Sequence, residues 1–480
     1  MRLQRFTERK PQTCDLRGGN TFIQVLNRVG FLVAAVCILW PRGVGANEPV
    51  LEHVASAEAI GEVLSGARQV ASAAWWGFDP EDATDAIQQA IDSGARKVVV
   101  PYMGAAWVIR PVKLRGDLEL VFEPGVLVLA KRGEFRGGGD SLFTAHDVSD
   151  VTIRGDGATL RMWKQDYQNP PYERAEWRMG IRIMGCQRVR IEGICVESSG
   201  GDGIYIGSSG KNRWCEDVVI KNCVCRDNHR QGISVISAEN LLVENSTLVG
   251  TAGTPPEAGI DFEPDSPDER LVNCLVRKCL FQDNSGHAIL VYLKPLTRQS
   301  ESVSIRFENC LSRMGTAGMS PEDFEGRETS GWSGMTVGAV RDGGPTGLVE
   351  FVDCTSENTG KEGAKVFDKS ADGVKVRFVN CKWSNSWISR HREFGGPRAP
   401  VFIELRRPSF TERPGGIEFV RCHVYDDVIG PAVRFEDSGD TPHGLFDVTG
   451  QITVRNKYGV RAKFGPKTEG VDLQVVGPPK

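Results

Sequence analysis

Asp261 and Glu263 stand two positions apart in the segment Gly259-Ile-Asp-Phe-Glu263. Side chains alternate along an extended strand, so both carboxylates project from one face, with Cα atoms separated by about two rises of ~3.3 Å. Carboxylates so placed can divide general-acid and general-base work; in glycoside cleavage a separation of about 6.5–9.5 Å goes with inversion and about 5–5.5 Å with retention. Asp202, in Gly200-Gly-Asp-Gly203, adds a third acid, and Asn228-His-Arg-Gln-Gly232 adds two more groups. His229 can shuttle a proton near neutral pH, and Arg230 can clamp a carboxylate or sulfate with its planar guanidinium. The candidate catalytic residues are therefore Asp202, His229, Asp261 and Glu263, and the candidate substrate contacts are Arg230, Tyr205, His287 and Lys294.

Each of these residues also has a plainer reading. Arg230 aligns with Glu257 and could pair with it in a surface salt bridge, Asp202 could cap a turn, and Asp261 with Glu263 could be a solvated edge. What favours chemistry is the concentration of ionisable groups on consecutive repeats. Trp163, Tyr167, Tyr172 and Trp177, in a long insertion after Leu160, either stack on sugar rings or pack the insertion down. Gly137-Gly-Gly139 follows no strand with dinucleotide-binding spacing, and no C-x-x-C pair faces a matching pair, so neither a nucleotide fold nor a zinc site is indicated. No metal ligand set is assigned.

These residues need a frame that stacks them, and the sequence repeats one. A short alternating strand ending in a polar and then a small residue recurs, as in Val218-Val-Ile-Lys-Asn-Cys223, Ile305-Arg-Phe-Glu-Asn-Cys310 and Val376-Arg-Phe-Val-Asn-Cys381. Its last position falls at 194, 223, 246, 279, 310, 354, 381 and 422, a short minimum step with occasional longer ones. Loops inserted into the coils of a solenoid give that pattern. A second strand begins at Gly203, Gly232, Gly259 and Gly286, with steps of 29, 27 and 27 residues. Two registers at one period predict a parallel solenoid in which Tyr205, Ser234 and Asp261 form an outward column. Six of the cysteines share one register position, which predicts a ladder of small buried thiols, while Cys223 and Cys225 are placed on opposite faces of a strand.

Residues 77–101 read as a helix with Ala86, Ile87, Ala90 and Ile91 on its apolar side, capped by Asp82 or Thr84 and ended by Gly94, followed by a buried strand at 98–100. The apolar run at 29–40, followed by Val44-Gly-Ala46, reads as an export signal, too short at about twelve residues against the roughly 20 that span a bilayer. The division expected is a signal peptide at 1–46, a linker at 47–74, a cap at 75–112 and the coil at 113–475. Removing Cys14 and Cys37 with the leader leaves eleven of the thirteen cysteines, an odd number that argues against a disulfide framework. Basic and acidic residues, 58 and 62, are interspersed and give a net charge of −4, so a phosphate-binding face is excluded and no nucleic-acid partner is expected.

The helix-strand cap, the coil repeat and the Gly-Gly-Asp-Gly strand together resemble the pectate lyase-like superfamily over residues 75–475. The resemblance implies an all-β fold, a right-handed parallel β-helix with a short amino-terminal capping helix. It also implies action on a polysaccharide, since the superfamily includes polygalacturonase-type glycosidases, polysaccharide lyases and uronate epimerases. The polygalacturonase pattern of Asn-Thr-Asp, paired Asp-Asp, Gly-His-Gly and Arg-Ile-Lys is met only by Asp202. His229-Arg-Gln231 stands where the paired aspartates fall, Ser285-Gly-His-Ala288 matches in part, and the Asp-Pro-His signature of alginate epimerases is missing. Three expectations follow: an exported glycoside hydrolase needing no cofactor, a lyase or epimerase in which Arg230 or Ca2+ neutralises a uronate while His229 or Lys294 takes the C5 proton, and a glycan-binding or surface-structural solenoid. Oligomeric state is left open.

Overall fold

The structure, a computed structural model, describes residues 52–479 apart from 321–322, 324–330, 389–398, 408–409, 428–429, 438–442 and 466–467. The signal peptide expected at 1–46 lies outside the described residues. What shapes the chain is a recurring bend. Gly193, Asn222, Asn245, Lys278, Asn309, Asp353, Asn380 and Arg421 all lie in the left-handed region, with φ between 51° and 72°. Asn and Asp tolerate that conformation better than other non-glycine residues, which is why the repeat ends in them so often. Most of these bends separate two strands, as between Cys215–Lys221 and Val224–Arg226, whereas Gly193 and Arg421 lie within the continuous strands Gln187–Glu197 and Gly415–Tyr425; a third strand such as Ile204–Gly207 lies apart in the coil.

Like strands stack on like. The first set pairs Ile204, Ile233, Ile260 and Ile289 in register, the second Val218, Leu241, Cys274 and Ile305, and the third Val224, Thr247, Leu280 and Leu311, all in parallel. One sheet of 12 strands and another of 22 result. The fold is a right-handed parallel β-helix. Its interior is largely aliphatic in the coils from Ile181 to Ile260 and aromatic in the later ones, where Phe307, Phe351, Phe378 and Phe419 stack nearly parallel at 4.7, 5.1 and 5.3 Å between ring centres. Those spacings are set by the ~4.8 Å between paired strands.

The residue after the bend is buried in every coil. Cys223, Cys279, Cys310 and Cys354 each donate to the carbonyl two residues back, at 3.2–3.5 Å, and Ser246 does the same at 3.0 Å. All eleven described cysteines are free. Cys223 and Cys225 do not face opposite ways as expected: both are buried in the core, because positions two apart in extended chain share a face.

The second helix, α2 (Thr84–Asp92), follows α1 (Ala57–Leu64) and buries Ala86, Ile87, Ala90 and Ile91 as expected; Asp82 accepts from the Thr84 amide at 3.1 Å. The linker expected at 47–74 is corrected. Ser56 caps α1 by accepting from the Ala59 amide, and Val70–Ser72 pairs in parallel with Lys97–Val100 to begin the large sheet. With only Ala59 and Val63 buried, α1 offers too short an apolar stripe to be legible in sequence. No described helix is long and apolar enough to cross a membrane.

Candidate active site

Arg182, Tyr205, Ser234, Asp261, Leu290, Thr336 and Lys365 lie side by side on successive strands of the 12-stranded sheet, on the face away from the core. The glycine that opens these strands is a matter of space. A Cβ on Gly203, Gly232 or Gly259 would come within 2.7 Å, 2.5 Å and 2.7 Å of the carbonyl of Gly232, Gly259 and Ala288 on the next coil. The outward column is thus held in tight register.

Outward here does not mean exposed. Asp202 and Asp261 are 0% exposed and Ser234 1%, which corrects the expectation of a solvated edge. The cover over Asp202 is the insertion at 162–179: Arg178 bridges Gly200, and a Cβ on Gly201 would strike the Glu176 carbonyl at 2.5 Å. Arg230 is the centre of the group. Its Nη2 donates to Glu263 Oε2 at 2.7 Å, its Nη1 lies 3.9 Å from Asp202 Oδ1, and its Nε lies 3.9 Å from Glu176 Oε1. Gln231 donates to Asp261 Oδ2 at 2.9 Å and accepts from the Ala258 amide, which fixes its orientation. Neither oxygen of Asp202 has a hydrogen-bond partner, nor has Asp261 Oδ1.

The electrostatics follow from that burial. Desolvation pushes Asp202 up to about 7, against the pull of Arg230. Burial and then the neighbouring Glu263 push Asp261 well above the ordinary carboxylate range. Burial also raises Asp265, helped by Glu269 and Glu263. Arg230 stays charged, since Asp202, Glu263 and Asp261 outweigh its own desolvation. Two buried acids that favour their protons therefore lie behind an Arg230–Glu263 pair whose glutamate side chain is 28% exposed.

The other candidates are placed differently. His229 is buried on the far side of its strand entry, its Nε2 2.9 Å from Thr254 Oγ1, with burial and then Lys164 lowering its pKa. It makes no contact with the carboxylates. Glu257 does not pair with Arg230; it accepts from the Gly253 amide at 2.7 Å. Tyr205 is half-buried in the column, with Arg182 5.9 Å from its ring centre. His287 lies on the next coil, 2.9 Å from Thr336 Oγ1 and edge-on to Trp332, and burial with Lys365 and Lys361 nearby pushes it down to about 3. Lys294 is half-buried beyond Ile289–Tyr292, and no hydrogen bond or ion pair ties it to the cluster among the described residues. Tyr167 is buried, Trp163 and Tyr172 pack against the core, and Trp177 alone of the four aromatics is exposed, at 55%. Glu176 and Gln231 were not singled out from sequence, although Gln231 sits between two residues that were. Among the described residues no group of three or more His, Cys, Asp or Glu is arranged to hold a metal ion.

A family described as the right handed beta helix region matches residues 140–267 and 176–311. The uncharacterized protein YclG of Bacillus subtilis (strain 168) is 27% identical over 187 residues, which are 36% of this chain and 32% of that protein. The match thus spans about a third of that relative's length. Among solved structures, the family 28 exopolygalacturonase of Yersinia enterocolitica superposes with a TM-score of 0.53 at 14% identity, over 86% of this chain and 79% of that one. The A-module of the mannuronan C-5 epimerase AlgE4 of Azotobacter vinelandii gives a TM-score of 0.45 at 11% identity, over 84% and 97%.

Proposed function

From the right-handed β-helix fold and the family match over residues 140–311 we propose that the chain is an exported enzyme that hydrolyses a polysaccharide at the Asp202–Asp261–Glu263 cluster. The observation that carries this reading is the juxtaposition of two fully buried carboxyl groups, Asp202 and Asp261, with a partly exposed carboxylate, Glu263, held by Arg230. Asp261 gives its proton to the glycosidic oxygen as the bond to the anomeric carbon breaks. Glu263 accepts a proton from the water that attacks that carbon, so the sugar gains a hydroxyl and the leaving chain a hydroxyl hydrogen. Asp202 lies against Arg230 and tunes its position. Trp177, exposed and adjacent to Glu176, is the aromatic surface on which a sugar ring would rest. Export rests on the apolar run at 29–40.

Elimination or epimerisation has less support. Arg230 is already paired with Glu263, His229 is held by Thr254, and Lys294 lies apart from the cluster, so neither His229 nor Lys294 faces the clamp as that reading requires. The test offers the purified protein neutral and uronic-acid polysaccharides and follows reducing ends, ultraviolet absorbance and, by NMR, exchange of the C5 proton. New reducing ends without an absorbing double bond support hydrolysis; absorbance or C5 exchange alone would overturn it in favour of the second reading. Asp261→Asn should lower the rate by at least ~100-fold with little loss of stability. Full activity in that variant removes the assigned site.

A further inference from the structure

Farther along the same sheet, Ala339, Arg341, Asp342, Asp368, Arg407 and Phe410 line a cavity of about 310 Å³, at the low end of the range for small-ligand sites of roughly 300–1,000 Å³. Tyr292, Gly338, Phe367 and Glu404 form one register column, and Ala339 and Asp368 each lie one residue beyond it. The lining therefore lies two to four coils from Asp261, about 10–19 Å along the axis at ~4.8 Å per coil. Both residues are in the left-handed region, with φ of 55° and 44°, and two stacked non-glycine residues held there are the sort of local strain that collects at binding sites.

The polar groups in the cavity are unevenly satisfied. Asp342 is saturated: its carboxylate accepts from the Thr411 amide and hydroxyl at 2.7 and 2.6 Å and from the Glu412 amide at 3.0 Å. Asp368, 2% exposed, uses Oδ1 to accept from the Arg406 amide at 2.7 Å, but its Oδ2 has no hydrogen bond, the guanidiniums of Arg407 and Arg406 standing 3.4 and 3.6 Å away. Among the described residues Arg407 otherwise reaches only Tyr292 Oη, at 3.5 Å. Arg341 is exposed and forms no ion pair among the described residues. Phe410, 5% exposed, supplies an apolar wall.

A buried carboxylate oxygen held only by two long ion pairs, beside an Arg407 whose hydrogen bond to Tyr292 is itself long and an Arg341 with no ion pair among the described residues, is completed by a group that is both donor and acceptor at once. Vicinal hydroxyls are such a group, and the C–H face of a sugar ring suits Phe410. A carboxylate would serve the arginines but be repelled by Asp368 and Asp342. We infer that this cavity is a second carbohydrate site, separate from the carboxylate cluster, that seats a neutral sugar ring with Asp368 Oδ2 accepting from one hydroxyl and Arg407 donating to its neighbour.

The inference does not depend on turnover and is tested by binding alone. The intact protein is titrated with D-glucose, D-galactose, D-mannose, L-rhamnose and D-galacturonate, with saturation-transfer NMR and calorimetry as readouts. At least one neutral sugar binds, Asp368→Asn and Arg407→Ala each weaken it by about tenfold or more, and Asp261→Asn leaves it unchanged. Near-ultraviolet circular dichroism verifies that the variants fold; should Asp368→Asn not fold, Arg407→Ala, at a half-exposed side chain, decides. No binding of any neutral sugar overturns the inference. So does tighter binding of galacturonate than of galactose, or affinity indifferent to the folded variants.

Discussion

Asp202 pays its burial with a displaced titration. Its pKa of about 7 in the folded chain lies above the ~3.9 of an unfolded aspartate, so between about pH 4 and 7 the unfolded chain gives up a proton that the folded chain retains. Stability contributed at this position is therefore greatest below pH 4 and falls as pH rises toward 7. Asp202→Asn removes the dependence: the variant should be more stable than the parent by roughly 1–3 kcal/mol at pH 8 and equal to it at pH 4, read from calorimetric unfolding at both pH values. An advantage that is the same at both would show that Asp202 keeps no extra proton. Trp177 gives the complementary prediction for substrate. Trp177→Ala should raise KM by about five- to fiftyfold, the loss of one ring contact, while leaving kcat and the melting temperature in place. The identity of these residues and their outward column were legible from Gly203, Gly232 and Gly259. Their concealment was not, because the cover comes from Glu176 and Arg178 in an insertion whose landing place no periodicity specifies. Nor was the partner of Arg230 legible: Glu257 matched it by count, but Glu257 turns back to Gly253 and leaves Arg230 to Glu263.

At the scale of the element, the bend and the small residue behind it define the coil. Asn222-Cys223, Asn309-Cys310 and Asn380-Cys381 were readable because the left-handed position restricts residue choice and the space behind it restricts size. The same logic fails at α1, where one capped turn after Ser56 carries too few apolar residues to announce itself. The ladder makes a chemical prediction. Cys215, Cys223, Cys274 and Cys310 are buried, and desolvation raises Cys223 to about 11 and Cys215 and Cys274 to about 12, far from thiolate at neutral pH. A thiol-specific disulfide reagent should label the ten buried cysteines at least ~100-fold more slowly in buffer than in denaturant, with Cys195, which is only half-buried, the one exception among the described residues. Fast labelling of several thiols in the folded protein would contradict the ladder.

For the molecule as a whole, the coil stacks two separate regions on one sheet: the carboxylate cluster around Asp261, and beyond it the cavity of Asp368 and Arg407. Their separation follows from the registers, in which Asp261, Leu290, Thr336 and Lys365 advance one strand at a time. Because Thr355 lies directly beside Lys382, and Val349 beside Val376, residues 355–381 amount to one interchangeable tier of 27 residues. Cutting out that tier joins Cys354 to Lys382 with every inward side chain still inward. The coil should shorten by ~4.8 Å in small-angle scattering, keep the carboxylate cluster around Asp261, and lose sugar binding at the proposed Asp368 site. Collapse of the shortened chain would mean that the tiers are not interchangeable. Length in this coil is thus counted in whole storeys, and withdrawing a single storey removes the proposed second site while the carboxylate cluster keeps its place.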